Sequence, residues 1–122
     1  MLGEAILPTD VKLAFYRIAQ EALNNVAKHS AADRVDIEIQ SISAPPPRGR
    51  KRSGLPQAIF SQSVTMSIRD NGRGFDPGSV IGEHLGLGIM HERASNTHAS
   101  LSIKSKPGAG TEISLHWPHL EP

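Results

Sequence analysis

The chain has 122 residues, 38% of them hydrophobic, a formal net charge of +1 and no cysteine. That length suits one domain with a single two-layer core, and the lack of cysteine excludes disulfides and thiolate zinc sites and sits comfortably with a reducing cytoplasm. Near-neutral charge draws the chain to neither nucleic acid nor acidic lipid, no apolar run approaches the roughly 20 residues of a membrane helix, and Met1 to Leu7 is too short for a signal peptide.

Thr9-Asp10 offers a helix N-cap after Pro8. Val11, Phe15, Ile18, Ala22 and Val26 then recur every three or four residues, which predicts a helix from about Val11 to about Lys28. On it Glu21, Asn25 and Lys28 or His29 stand at i, i+4 and i+7 or i+8, forming one polar stripe. Such a stripe is most often just the solvated side of a helix. Asn24-Asn25 is nevertheless a poor helix pair, because asparagine competes for backbone hydrogen bonds. An amide oxygen is also a suitable hard ligand for magnesium, with Lys28 and His29 one turn further on for phosphate oxygens.

Arg34 to Ile42 alternates, with Val35, Ile37 and Ile39 on one face, and predicts a half-buried strand. Val64, Met66 and Ile68 predict a second. Between them, 41–63 carries Pro45-Pro46-Pro47 and then Arg48, Arg50, Lys51 and Arg52. This stretch reads as an inserted flexible basic loop, since four cations without interleaved aromatics are a weak nucleic-acid signature. Leu55, Ala58, Ile59 and Phe60 either extend the second strand or pack as a flap.

Asp70-Asn71-Gly72-Arg73-Gly74-Phe75 follows the second strand, and Gly86-Leu87-Gly88 comes soon after. Closely spaced glycines mark unusual backbone angles or the close approach of a ligand, and an aspartate beside them can read an amino group. Together with the stripe on the first helix they suggest a nucleotide pocket. Leu87 to Ala99 predicts a second helix, and Leu101-Ile103 with Ile113-Leu115 a hairpin around Lys106 to Gly110. The order implies an α+β layer sandwich. His84, His91 and His98 recur every seven residues, about 10 Å apart on a helix and too far for one ion. Trp117, standing alone, reads as an edge or domain-contact residue.

Gln20 to His29, Asp70 to Phe75 and Gly86 to Ala94 resemble, in order, the N, G1 and G2 boxes of GHKL-type ATPases. The fuller resemblance is to the catalytic ATP-binding domain of bacterial sensor histidine kinases. The wording "YRIAQEALNNVAKHS" and "GLGIMHERA" is most similar to the subfamily paired with NarL-type response regulators, which includes nitrate sensors and DesK-like thermosensors. Gly108-Ala109-Gly110-Thr111-Glu112 resembles the family's last glycine box. The likeness runs from about Leu7 to Trp117, with 41–63 as an insertion and a short lid at Asp76 to Leu85.

The resemblance implies a two-layer α/β sandwich of the GHKL type, with a mixed, mostly antiparallel sheet and helices on one face. It implies ATP and Mg²⁺ as cofactors. Asn25 would hold the metal, Asp70 would accept from the adenine amino group, and Gly72 and Gly74 would let the chain pass close to the base. Gly86, Leu87 and Gly88 would bring backbone N–H groups to the phosphates, with Lys28 and His29 as further phosphate contacts. Thr111 would support the adenine-side network, and Glu21 matches the family's N-box acid as general base or water-orienting group. Residues 1–122 then form one ATP-binding domain without the helical dimerisation and phosphoacceptor domain. The implied activity is transfer of the ATP γ-phosphoryl to a histidine on that neighbouring domain, and onward partnership with a NarL-type response regulator. The fragment is expected to be monomeric and cytoplasmic, as part of a possibly membrane-bound sensor, without touching nucleic acid or membrane itself. Two other readings share the boxes: an anti-sigma-factor serine kinase and a non-catalytic nucleotide-sensing module.

Overall fold

A computed structural model of the chain describes residues 7–44, 61–78 and 85–119. The elements are helix α1 (Thr9–Asn25) running into a π-helical turn (Val26–Ser30), strands β1 (Val35–Ala44) and β2 (Ser61–Asp70), helix α2 (Leu87–Asn96), and strands β3 (Ser100–Ser105) and β4 (Thr111–His119). The strands form one sheet in the order β1-β2-β4-β3. All three pairings are antiparallel, so the expected parallel component is missing among the described residues.

Period-2 patterning builds the sheet. Val64, Met66 and Ile68 of β2 stand opposite Trp117, Leu115 and Ile113 of β4, and this face meets Val11, Phe15, Ile18 and Ala22 of α1 and Met90 and Ala94 of α2. Period 3.6 on the helices and period 2 on the strands thus converge on one core, with both helices on one face. Trp117 lies in that core, only 6% exposed, rather than at an edge. The reason is its place on β4, an interior strand, in phase with Ile113 and Leu115.

The opposite face is polar. One rung across it reads Asp36, Arg69, Glu112, Lys104, with alternating charge. Arg69 donates to Glu112 at 2.9 Å, which raises the guanidinium pKa further into the alkaline range.

Strand β1 departs from expectation. Ile37 and Ile39 pair with buried Ile68 and Met66 on the helix-side face, yet they are 50% and 46% exposed. β1 is an edge strand whose main contacts are with β2, and Val35 at its start packs against the core. The prediction of a half-buried strand therefore holds for its type but not for its burial.

Both helix ends differ from the sequence reading. Pro8 takes the N-cap position with no side-chain cap bond, and Asp10 instead accepts from the next residue, Val11 N–H, at 3.0 Å. α2 stops at Asn96 rather than Ala99. His98 N–H reaches Ser95 O and Ala99 N–H reaches Ala94 O, with His98 at φ +63°, which is a Schellman ending with histidine in the left-handed position. Of the heptad histidines, His91 is exposed on α2, His98 closes the helix, and His84 lies outside the described residues. So do 45–60, the greater part of the expected basic insertion with its basic run and its Leu55–Phe60 stretch.

Candidate nucleotide site

Three segments meet where α1 ends, where β2 ends and where the β3–β4 turn begins. The first is the π turn. Its hydrogen bonds close over five residues instead of four, so each residue advances less around the axis than in an α-helix. The consequence falls on Lys28 and His29, which the α-helical reading could not separate. Both are exposed, but His29 lines the cavity beside Asn25, whereas Lys28 stands outside the lining. Ser30 secures the turn: its hydroxyl donates to Val26 O at 3.0 Å and accepts from Ala32 N–H at 3.1 Å, and Ala31 ends it at φ +57°.

The second segment is the loop after β2. Asp70 is buried, 8% exposed, and its Oδ1 accepts from Gly72 N–H at 2.8 Å. Asn71 fastens the loop to the chain beyond the π turn. Its Oδ1 accepts from Asp33 and Arg34 N–H, both at 3.1 Å, and its Nδ2 donates to Asp33 at 2.7 Å. A Cβ on Gly72 would overlap the backbone of Ser30, so only glycine lets the two segments touch. Arg73 closes the contact. Its N–H donates to Ser30 O at 2.7 Å, its Nε to His29 O at 2.5 Å, and its own carbonyl accepts from Gly108 N–H at 2.6 Å. A cation at the carbonyl end of a helix is favourable both as a hydrogen-bond donor and against the helix dipole.

The third segment is the β3–β4 hairpin. Ser105 Oγ accepts from Phe75 N–H at 2.9 Å, donates to Gly110 O at 3.1 Å, and lies 2.8 Å from Thr111 Oγ1. Gly110, at φ +77°, passes so close to Asp70 that a Cβ would overlap the Asp70 carbonyl.

These walls enclose a cavity of about 460 Å³. Asn25, His29, Asp70, Gly74, Leu87 and Thr111 line it, over an apolar floor that includes the cross-strand pair Ile68 and Ile113. Asn25 Nδ2 donates to Leu85 O at 2.8 Å, which turns its amide oxygen into the acceptor left for a ligand. The other predicted residues stand apart from the lining. Gly72 sits behind Asp70 and holds its carboxylate. Gly88 is exposed on α2, with nothing near the position of a Cβ. Glu21 is half-buried against Gly86, the residue that opens α2 at φ +71°; a Cβ there would stand 3.2 Å from the Glu21 carboxyl carbon. Sequence reasoning missed Ser30, Ser105 and the clasp of Arg73. For Ser30 and Ser105 nothing in the local pattern marks them, because their roles arise from contacts between distant segments. Arg73 could have been flagged as the one permanent cation inside the glycine motif.

Against this geometry, the family profile of the histidine kinase-, DNA gyrase B-, and HSP90-like ATPases matches residues 10–121. The chain belongs to that family. This ATPase-family chain is 32% identical over 111 residues to the signal transduction histidine-protein kinase/phosphatase DegS of Brevibacillus brevis, covering 91% of the chain and 24% of that protein. It is 30% identical over 117 residues to sensor protein VraS of Staphylococcus saprophyticus, covering 96% of the chain and 28% of that protein. The ATPase-family chain thus spans about a quarter of the length of these relatives. Among solved structures it is similar to the histidine kinase domain of the blue-light activated histidine kinase of Erythrobacter litoralis EL346. The TM-score is 0.58 at 21% identity, over 92% of this chain and 46% of that one, a likeness of fold.

Proposed function

We propose that this domain binds ATP with Mg²⁺ and acts as the catalytic ATP-binding part of a sensor histidine kinase, delivering the γ-phosphoryl group to a histidine on a neighbouring dimerisation domain. The observation that carries the reading is the convergence of Asn25, His29, Asp70 and Thr111, from three separated motifs, on one cavity. Family membership and the names of the DegS and VraS relatives support the kinase assignment over a serine kinase of the anti-sigma-factor type.

In this reading Asp70 accepts from the adenine amino group, a donor that the guanine carbonyl lacks. Asn25 presents its amide oxygen to the metal, and His29 faces phosphate oxygens. Among the described residues no group of three His, Cys, Asp or Glu side chains could cage an ion. A lone amide oxygen fits magnesium, which keeps its waters and takes its other ligands from phosphates. The metal, when bound, would supply neutralisation of the phosphate charge. The opening of α2 at Gly86 and Leu87 offers backbone N–H groups to the same phosphates. Glu21, packed on Gly86, would act as general base or water-orienting group beside that opening, and Lys28 would contribute to the surrounding field rather than to the lining.

Phosphoryl transfer is mostly positioning and charge stabilisation, so a site of this kind needs its acceptor histidine brought from outside. We further propose membership of the NarL-partner subfamily, on the wording of Tyr16 to Ser30 and Gly86 to Ala94, with a cytoplasmic setting and a monomeric fragment. Among the described residues no helix is long and apolar enough to cross a membrane. Calorimetric titration with ATP and GTP, with and without Mg²⁺, tests the reading. Selective, magnesium-enhanced ATP binding is the expected result, and a folded sample that binds neither nucleotide would overturn it.

A further inference from the structure

Ser105 does not line the cavity, yet its hydroxyl joins two of the segments that build it, the loop after β2 and the β3–β4 hairpin. A hydroxyl has one donor hydrogen and two acceptor lone pairs. Here all three are assigned. Gly110 is buried and its carbonyl has no other backbone partner in the turn, so the Ser105 hydrogen goes to Gly110 O at 3.1 Å. One lone pair accepts Phe75 N–H at 2.9 Å. The remaining contact, 2.8 Å to Thr111 Oγ1, must then be a hydrogen bond donated by threonine. Thr111 has spent its only hydrogen and can offer the cavity nothing but lone pairs.

We infer that Ser105 is a positioning residue that sets the base specificity of the cavity by fixing Thr111 as an acceptor. This rests on the ATP reading above. Asp70 points the same way: Oδ1 already accepts from Gly72, and an ionised carboxylate has no donor to give. Asp70 and Thr111, neighbours across β2 and β4, therefore present acceptors only. The ligand edge that fits them carries a hydrogen-bond donor, as the amino group of adenine does, and a carbonyl in that place meets lone pairs. Without Ser105 the threonine hydroxyl is free to rotate and to donate, and a carbonyl-bearing base becomes acceptable. Ser105 thus acts on selectivity through Thr111, from outside the lining.

The test is calorimetric titration of the full chain, its Ser105→Ala and Ser105→Thr variants, and Thr111→Val alone and combined with Ser105→Ala. The probes are ATP and inosine triphosphate, whose base has a carbonyl where adenine has the amino group. One hydrogen bond's worth of discrimination corresponds to about fivefold. Ser105→Ala should lower the preference for ATP by about that factor, chiefly by gaining affinity for the inosine nucleotide. Ser105→Thr keeps a hydroxyl at the same point and should restore the parent preference. In the Thr111→Val background Ser105→Ala should leave the preference unmoved. A uniform loss of affinity for both nucleotides in Ser105→Ala, or an unchanged ratio, would mean that Ser105 only braces the hairpin. A parent chain that binds neither nucleotide overturns the ATP reading itself. A parent that binds ATP while Ser105→Ala retains its preference overturns only the role of Ser105. Should Ser105→Ala fail to fold, Ser105→Thr and Thr111→Val decide: a shifted preference in the former, or none in the latter, overturns the inference.

Discussion

Replacing Asp70 by asparagine exchanges one oxygen for an NH₂ group with almost no change of shape, and the surrounding bonds dictate which oxygen is lost. Gly72 N–H points at one carboxylate oxygen from 2.8 Å and needs an acceptor there. The amide therefore keeps its carbonyl toward Gly72 and turns its NH₂ into the cavity. A donor then stands where the proposed ligand also carries a donor. The reverse orientation spares the ligand but sets NH₂ against Gly72 N–H, so one bond is lost in either case. A hydrogen bond to a charged partner contributes roughly 1.5–3 kcal/mol, which converts to a loss of about tenfold to a hundredfold in ATP affinity. The inosine nucleotide, with a carbonyl to offer the new NH₂, should lose much less or gain. Titration of parent and variant with both nucleotides reads this directly, with circular dichroism to establish that the variant is folded. An ATP affinity unchanged in a folded Asp70→Asn variant would refute the claim that this carboxylate reads the base.

Asn25→Ala should reduce the enhancement of ATP binding by Mg²⁺, measured as the ratio of affinities with and without the metal; an equal enhancement in variant and parent would remove Asn25 as a ligand. Gly110→Ala and Gly108→Ala share a positive φ, but only Gly110 abuts the Asp70 backbone, while the Gly108 position is open. Thermal denaturation should show about 1 kcal/mol lost for Gly108→Ala and more than about 2 kcal/mol for Gly110→Ala. His98→Gly should stabilise by up to about 1 kcal/mol, since histidine at φ +63° bears the strain that glycine avoids. Arg69→Ala should leave the melting temperature nearly unchanged, because the Arg69–Glu112 pair is solvent-exposed on the arginine side. The raised pKa of Arg69 also predicts no pH dependence from this guanidinium between neutral and mildly alkaline pH. Its stabilisation is fully present below the unfolded-state pKa and is lost only as pH rises through the still higher folded value, far above that window.

What the sequence made legible follows from how local each physical cause is. Alternation at Val64, Met66 and Ile68 and the spacing of Val11, Phe15, Ile18 and Ala22 are single-element patterns, and each reappears as core. Burial of β1 was misjudged because alternation reports that a strand has an apolar face, not whether a helix lies over it. Ile37 and Ile39 have the right phase and the wrong place, at the sheet edge. Trp117 failed in the opposite sense: isolation in the sequence said nothing of its seat on an interior strand. The end of α2 was missed because the Schellman turn uses histidine, where glycine would have announced the stop.

The candidate site divides along the same line. Asp70, Asn25 and the glycines were visible because their chemistry is unusual where they stand: an acid after an apolar strand, a poor helix former inside a helix. Which of Lys28 and His29 faces the cavity was not visible, since a stripe at i+7 or i+8 assumes 3.6 residues per turn. The π turn breaks that assumption at Val26, and it does so where Ser30 meets Gly72 and the following Asp33 and Arg34 meet Asn71. The distortion is thus imposed by the partner segment: Arg73 takes both His29 O and Ser30 O, and Gly72 leaves the space for it. A helix end shaped by tertiary contact selects the side chain that enters the cavity, just as a serine on a neighbouring strand selects which way a threonine hydroxyl turns. Motif residues set what chemistry is available, and the residues between motifs set its orientation.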